Sequence, residues 1–399
     1  MKTREVKLSE VANVKGGKRI PKGIGLINIP NGHPYIRVRD LNNKRLLELD
    51  NSYEYVDNET QKVISKYTVK TGDVVLSIVG TIGLVAIVGR TLDGANLTEN
   101  CVKLSSFHGV NRDFLYYYLR SDYGQQEIRC GTVGAVQAKL PIKNIQNIAI
   151  NLPEYTTQER IASLLLSIDR KIELNQKIND NLEQQAVTYF QELYINNANP
   201  MWQIGTISDL GTVVGGSTPS KTKPEYYTNN GIAWITPKDL SINKSKFISH
   251  GENDITELGL KNSSATVMPK GTVLFSSRAP IGHIAIASNE VTTNQGFKSV
   301  VPYLEIGTAF VYFFLKHSLP VIESAASGST FKEISGSAMK NIPAIIPDRS
   351  TLDQFNSFCA PIFAQQKILE DQNYSLAMLR DSLLPKLMSG AIDIASIQL

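Results

Sequence analysis

The chain is written twice. Leu8-Ser9-Glu10-Val11 answers to Ile207-Ser208-Asp209-Leu210, Gly16-Gly17 to Gly215-Gly216, and Tyr35-Ile36 with Asp40-Leu41 to Trp234-Ile235 with Asp239-Leu240, each 199 residues apart. Gly72 and Ile82-Gly83 meet Gly271 and Ile281-Gly282 at the same offset. Deletions then shorten it: Phe114-Leu115-Tyr116 meets Phe310-Val311-Tyr312, Lys143-Asn144-Ile145 meets Lys340-Asn341-Ile342, and the final offset is about 194. Solenoid repeats have periods of roughly 20–50 residues, so each copy here must be a whole domain plus a connector.

The first part of each copy carries short β-rich runs set off by turn residues. In copy one they are Pro34–Val38, Asp73–Ile78 and Leu84–Val88, with Gly72-Asp73 and Gly80 as punctuation. Copy two repeats them at Ala233–Thr236, Thr272–Ser276 and His283–Ala287. A helix is predicted over Arg112–Arg120. Each domain therefore reads as mixed α/β, and the chain as α+β: two tandem domains, 1–155 and 199–349, the first followed by a long helix, 156–198, and the second by a long helix with a C-terminal tail, 350–399.

The helices follow from heptad spacing. Steps of four and three from Ile161 reach Leu165, Ile168, Ile172, Asn175, Asn179, Leu182, Ala186, Tyr189 and Leu193. The second seam reads Phe355, Cys359, Ile362, Gln366, Leu369, Asn373 and Leu376, then Leu383 and Leu387. Asn179 and Asn373 fall at equivalent places, where a polar residue costs stability but sets register. Thr156 with Glu159, and Ser350 with Asp353, have capping-box spacing. A whole domain lies between the helices, so an antiparallel coiled coil is predicted. At ~1.5 Å per residue each helix is about 55 Å long.

Composition narrows the function. With 42% hydrophobic and 20% charged residues this is a soluble globular composition, and no apolar run approaches a membrane span. Cys101, Cys130 and Cys359 lack paired spacing, and the N-terminus lacks an apolar secretion core, so a cytoplasmic location is expected. The five histidines are scattered, without HExxH or zinc-type cysteine pairs, and no P-loop, dinucleotide fingerprint or GxSxG elbow occurs. Asp40 and Asp239 recur, but the context suits a turn hydrogen bond better than catalysis. The net charge of +4 resides in residues 1–198, with 25 basic and 21 acidic side chains, against 16 of each in the remainder.

Polar and basic residues recur instead on predicted loops. Copy one has Lys15, Lys18, Arg19, Arg37, Arg39, Gln137 and Lys139. Copy two has Thr218, Ser220, Lys221, Lys223, Thr236, Lys238, Ser276, Ser277, Arg278, Thr330 and Lys332. Arg, Lys, Gln and Asn suit base edges, and Ser, Thr and Lys commonly hold phosphates, so these are candidate DNA contacts.

The order Leu8-Ser9-Glu10, Gly16-Gly17, Ile36-x-x-x-Asp40-Leu41, Lys70-x-Gly72-Asp73-Val74-Val75-Leu76-Ser77 and Ile82-Gly83 resembles the target-recognition domain of type I restriction specificity subunits. Copy two is more similar still, through Gly215-Gly216-Ser217-Thr218-Pro219, Trp234-Ile235-Thr236-Pro237-Lys238-Asp239-Leu240 and Thr293-Asn294-Gln295-Gly296. The tail Leu383-Leu384-Pro385-Lys386-Leu387-Met388-Ser389-Gly390 extends the likeness over the whole chain. Copy one departs at Lys18-Arg19 and Glu99-Asn100-Cys101.

The resemblance implies that each domain reads half of a split, non-palindromic site in double-stranded DNA, with the paired helices as spacer. Two methyltransferase subunits and motor-nuclease subunits are the implied partners. S-adenosylmethionine then belongs to the methyltransferase, ATP and Mg to the nuclease, and no cofactor, metal or catalytic residue to this chain. Two rivals are a standalone modification enzyme and a scaffold without a nucleic-acid role. The first lacks an Asn/Asp-Pro-Pro-aromatic motif, to which Asn199-Pro200-Met201-Trp202 is the nearest approach. The second predicts no sequence-specific DNA binding even with partner subunits present.

Overall fold

A computed structural model of the chain describes residues 2–41, 44–328 and 332–394. They divide into two compact units, Met1–Lys171 with Ser375–Leu399, and Ile172–Tyr374. Both divisions fall inside the long helices, Tyr155–Phe190 and Arg349–Ser389, so each unit holds one domain and a segment of each helix. Among the described residues no helix is long and apolar enough to cross a membrane.

In the first unit Thr3–Lys7 pairs antiparallel with Ala149–Pro153, joining the start and end of the domain. A five-stranded sheet runs in the order Asn13–Gly16, Cys101–Ser105, Val74–Ser77, Val85–Val88, Leu46–Leu47, antiparallel except at the last pair. Its strands alternate between two cores. Val74, Leu76, Val85 and Ile87 face the helix Arg112–Arg120 through Phe114, Leu115 and Tyr116. Val75, Ala86 and Val88 face Ile36 and Leu97 of a small three-stranded sheet. With both faces covered, the central strands read as continuous apolar runs.

The second unit repeats the plan. Gln203–Thr206 pairs with Pro343–Ile346, and the large sheet runs Gly211–Gly215, Lys298–Pro302, Val273–Ser277, Ile281–Ala287, Phe247–Ile248. Val273 and Phe275 face the helix Thr308–His317, whereas Leu274 faces a four-stranded sheet containing Ile232–Ile235.

The long helices pack antiparallel in each unit. In the first, Ile161 and Leu165 share a core with Leu387, and Asp169 meets Arg380. In the second, Asn175 Nδ2 donates to Asn373 Oδ1 at 2.9 Å, Gln366 Nε2 donates to the Asn179 carbonyl at 3.2 Å, and Ala186 joins Phe355, Cys359 and Ile362. Ile168 and Leu369 are buried, while Ile172, Leu182, Asn373 and Leu376 are half-buried.

Several local expectations are corrected. The strand at Pro34 ends at Ile36 and passes into a tight turn at Val38–Leu41, because Asp40 Oδ2 accepts from the Arg37 amide at 2.7 Å. Thr236 lies beyond its strand and caps the helix Pro237–Ile242. Neither long helix uses the predicted cap. The first begins at Tyr155, with the Glu154 carbonyl accepting from Gln158, so Thr156 is already helical. Asp348 caps the second by accepting from the Thr351 amide at 2.9 Å, leaving Ser350 inside.

Candidate nucleic-acid interface

The recurring Gly-Gly pair has a steric cause. Gly17 runs so close to the strand Asn96–Leu97 that a Cβ would lie 2.0 Å from the Thr98 carbonyl oxygen; at Gly216 it would lie 2.0 Å from that of Asn294. This approach lets the Lys18 amide bond the Leu97 carbonyl at 2.8 Å and the Ser217 amide bond that of Thr293 at 2.9 Å. An aromatic donor then holds the outgoing loop from below. Tyr35 Oη donates to the Lys18 carbonyl at 2.8 Å, and Trp234 Nε1 to that of Ser217 at 3.0 Å.

On this shared scaffold the outward side chains differ. Arg19 pairs with Glu99 at 2.5 Å, and the equivalent positions in the second unit hold a hydrogen bond from Thr218 to Gln295. Arg37 and Arg39 converge on Glu54, whereas Lys238 pairs with Glu252 at 2.6 Å. The loop near Gln137 is closed by reciprocal amide bonds between Val133 and Lys139, and Ser327 and Glu333 are linked the same way. Thus Lys139 in one unit corresponds to Glu333 in the other, where Glu333 binds Arg278 at 3.3 Å.

The candidates fall into three groups. Arg19, Arg37, Arg39, Lys238 and Arg278 are ion-paired, so phosphate would have to displace or share a carboxylate. Lys18, Lys139, Lys221 and Lys332 are exposed and make no ion pair among the described residues; Gln137 is exposed too, and the Ser220 hydroxyl bonds that of Thr222 at 2.9 Å. Ser277 is fully buried with its hydroxyl toward Glu333, and the Thr236 hydroxyl is taken by Asp239 at 2.6 Å. Thr330 lies outside the described residues.

Beside Lys18, whose ammonium lies 5.5 Å from the centre of the Tyr67 ring, Lys15, Lys66, Tyr67 and Lys103 line a recess of ≈ 250 Å³. These residues come from three distant segments; Lys15 is among the candidate contacts of the sequence, whereas Lys66, Tyr67 and Lys103 have no signal there beyond the basic excess of copy one.

Asp40 and Asp239 act in their turns. Asp239 Oδ2 accepts from the Thr236 amide at 2.7 Å, as Asp40 does from Arg37. Burial pushes the Asp40 carboxyl up to about 6, with Arg39 opposing. Between its ordinary value of 3.8 and that one, the folded chain holds a proton that the unfolded chain has lost, so stability falls as pH rises through about 6. Asp40→Asn keeps the acceptor without the titration and is expected to flatten this fall. Thermal melts from about pH 3.5 to about pH 7 check it, and parallel curves for both proteins would absolve Asp40.

A duplicated α+β scaffold thus carries a different set of polar loops on each of its two copies. A family model, the type I restriction modification DNA specificity domain, matches residues 2–184 and again 199–371. The chain therefore belongs to that family of non-catalytic specificity subunits. It is 42% identical over 162 residues to the MjaIX specificity subunit of Methanocaldococcus jannaschii, covering 40% of this chain and 37% of that protein. The match thus spans little more than a third of that relative's length. The HindI specificity subunit of Haemophilus influenzae is 23% identical across 82% of this chain and 88% of its own. The crystal structure of a type I restriction-modification S subunit from M. genitalium shares the fold, with a TM-score of 0.57 at 16% identity, covering 97% of this chain and 99% of that one.

Proposed function

We propose that this chain is the DNA-reading subunit of a type I restriction-modification complex. Domain 1–155 reads one half of a split, non-palindromic site, domain 199–349 reads the other, and the helices Tyr155–Phe190 and Arg349–Ser389 set the unread interval. Methyltransferase subunits carrying S-adenosylmethionine modify adenine, and motor-nuclease subunits using ATP and Mg cut unmodified DNA, in the cytoplasm. One observation carries the reading: equivalent loops on one scaffold hold different chemistry, Arg19 with Glu99 against Thr218 with Gln295. Identical readers would call for a palindrome; different ones call for an asymmetric target.

The expected result is that deleting the gene removes N6-methyladenine from a single split motif, whose two halves and spacing the methylation map then yields. Unchanged methylation in a host that demonstrably expresses the partner methyltransferase would overturn the proposal.

A further inference from the structure

The lysine-lined recess of the first unit has a geometry that its own salt bridges do not use up. Lys15 projects from the edge strand Asn13–Gly16, directly across from Lys103 on Cys101–Ser105. Lys66 and Tyr67 close it from the turn Ser65–Tyr67. Lys103 is fixed at the base, its ammonium donating to the Thr68 carbonyl at 2.6 Å and lying 3.4 Å from Asp73. Lys15 and Lys66 are exposed and make no ion pair among the described residues. Three lysines thus line one recess, Lys18 lies over the Tyr67 ring at its side, and Asp73 is the counter-charge of Lys103.

Such convergence is unfavourable unless an anion completes it. The second unit shows that the scaffold does not require it. The equivalent positions are Val214, Ala265, Thr266 and Ser299, all uncharged. The recess also continues from the loop at Lys18, which the Gly17 approach holds against the sheet.

We propose that this recess seats a backbone phosphodiester of the bound DNA duplex, held by Lys15 and Lys66 with Lys103 behind, and that the second unit has no such seat. The assignment rests on the DNA-reading function proposed above. It makes the two readers unequal: the first unit anchors the duplex by charge, and the second contributes less to salt-sensitive affinity.

The test is the affinity of the full chain, assembled with its methyltransferase partners, for a labelled mixed-sequence duplex over a KCl series. Each phosphate contact contributes about 0.9 to the slope of log K against log salt. Lys15→Ala with Lys66→Ala, which removes both groups that hold this one phosphate, is expected to lower the slope by about one, and Lys66→Ala alone by no more than that. Lys62→Ala, which removes an exposed lysine paired with Glu59 at 2.7 Å, is expected to leave it unchanged. An unchanged slope in the double variant, or an equal fall with Lys62→Ala, overturns the phosphate seat while leaving DNA reading intact. Titration with inorganic phosphate and with a free mononucleotide supplies the other arm. Tight binding that the double variant abolishes without altering the slope makes this a small-anion site and overturns the proposal. Absence of duplex binding by the unaltered complex overturns the DNA-reading function and the seat together.

Discussion

Glu183→Ala is expected to destabilise the second unit by about 3 kcal/mol, with Lys246→Met costing about 1 kcal/mol. Lys246 is 7% exposed and lies 2.5 Å from Glu183, with its ammonium donating to Gln366 at 2.6 Å. The rings of Phe363, Tyr312 and Phe313 surround it at 4.1, 4.9 and 5.4 Å. Burial lowers the pKa of this lysine, and Glu183 opposes that shift. Removing Glu183 strands a cation among aromatic rings. Removing the Lys246 charge instead leaves Glu183 with Lys316, also at 2.5 Å, and keeps an unbranched stem against the rings. The cluster also ties the domain to both helix segments of its unit, because Glu370 accepts from the amides of Lys246 at 2.8 Å and Phe247 at 3.1 Å. Amide exchange and urea denaturation of the two variants check the inequality; equal losses would mean that the buried charge pair does not carry the cost.

In the first unit the largest effect is expected at Asp169. Its side chain is 5% exposed, receives the Arg380 guanidinium at 2.8 Å and accepts from the Tyr117 hydroxyl at 2.6 Å. Burial raises the Tyr117 pKa, with Asp169 adding to the shift, so the phenol stays a donor. Asp169→Ala leaves a largely buried guanidinium short of a partner and should cost about 3 kcal/mol, whereas Tyr117→Phe should cost about 1 kcal/mol. Combining Asp169→Ala with Arg380→Ala should cost no more than the single change, since no charge is then stranded and only the Tyr117 hydroxyl lacks its acceptor. Additive losses in that cycle would argue against the pair.

The equivalent positions of the second unit hold Phe313, Phe363 and Ala186, with the two rings 6.0 Å apart. At these positions one copy has an ion pair and the other aromatic packing. Aligning the wrong halves would set Asp169 against phenylalanine. That difference makes the helix segments non-interchangeable.

What could be read from the sequence was periodic or local. The duplication follows from matched order, the long helices from spacing of four and three, and the buried strands from unbroken runs such as Val74-Val75-Leu76. Even there the ends slipped: Asp348 caps the last helix two residues ahead of Ser350, because several neighbouring polar side chains suit a cap and geometry selects among them.

The partners of the charges were not legible. Lys18, Arg19 and Lys66 look alike in the sequence, yet Arg19 meets Glu99 eighty positions away, Lys18 lies over Tyr67, and Lys66 lines a recess with Lys103. Nothing local distinguishes Lys246, the buried centre of the second unit, from its exposed neighbour Lys244. Hydrophobic periodicity repeats within one element and survives in the linear order. Burial of a charge and the choice of its counter-ion depend on segments that only folding brings together. The sequence by itself determined two domains and two helices. The tertiary structure decided which lysines are core, which are paired and which are left to meet an anion.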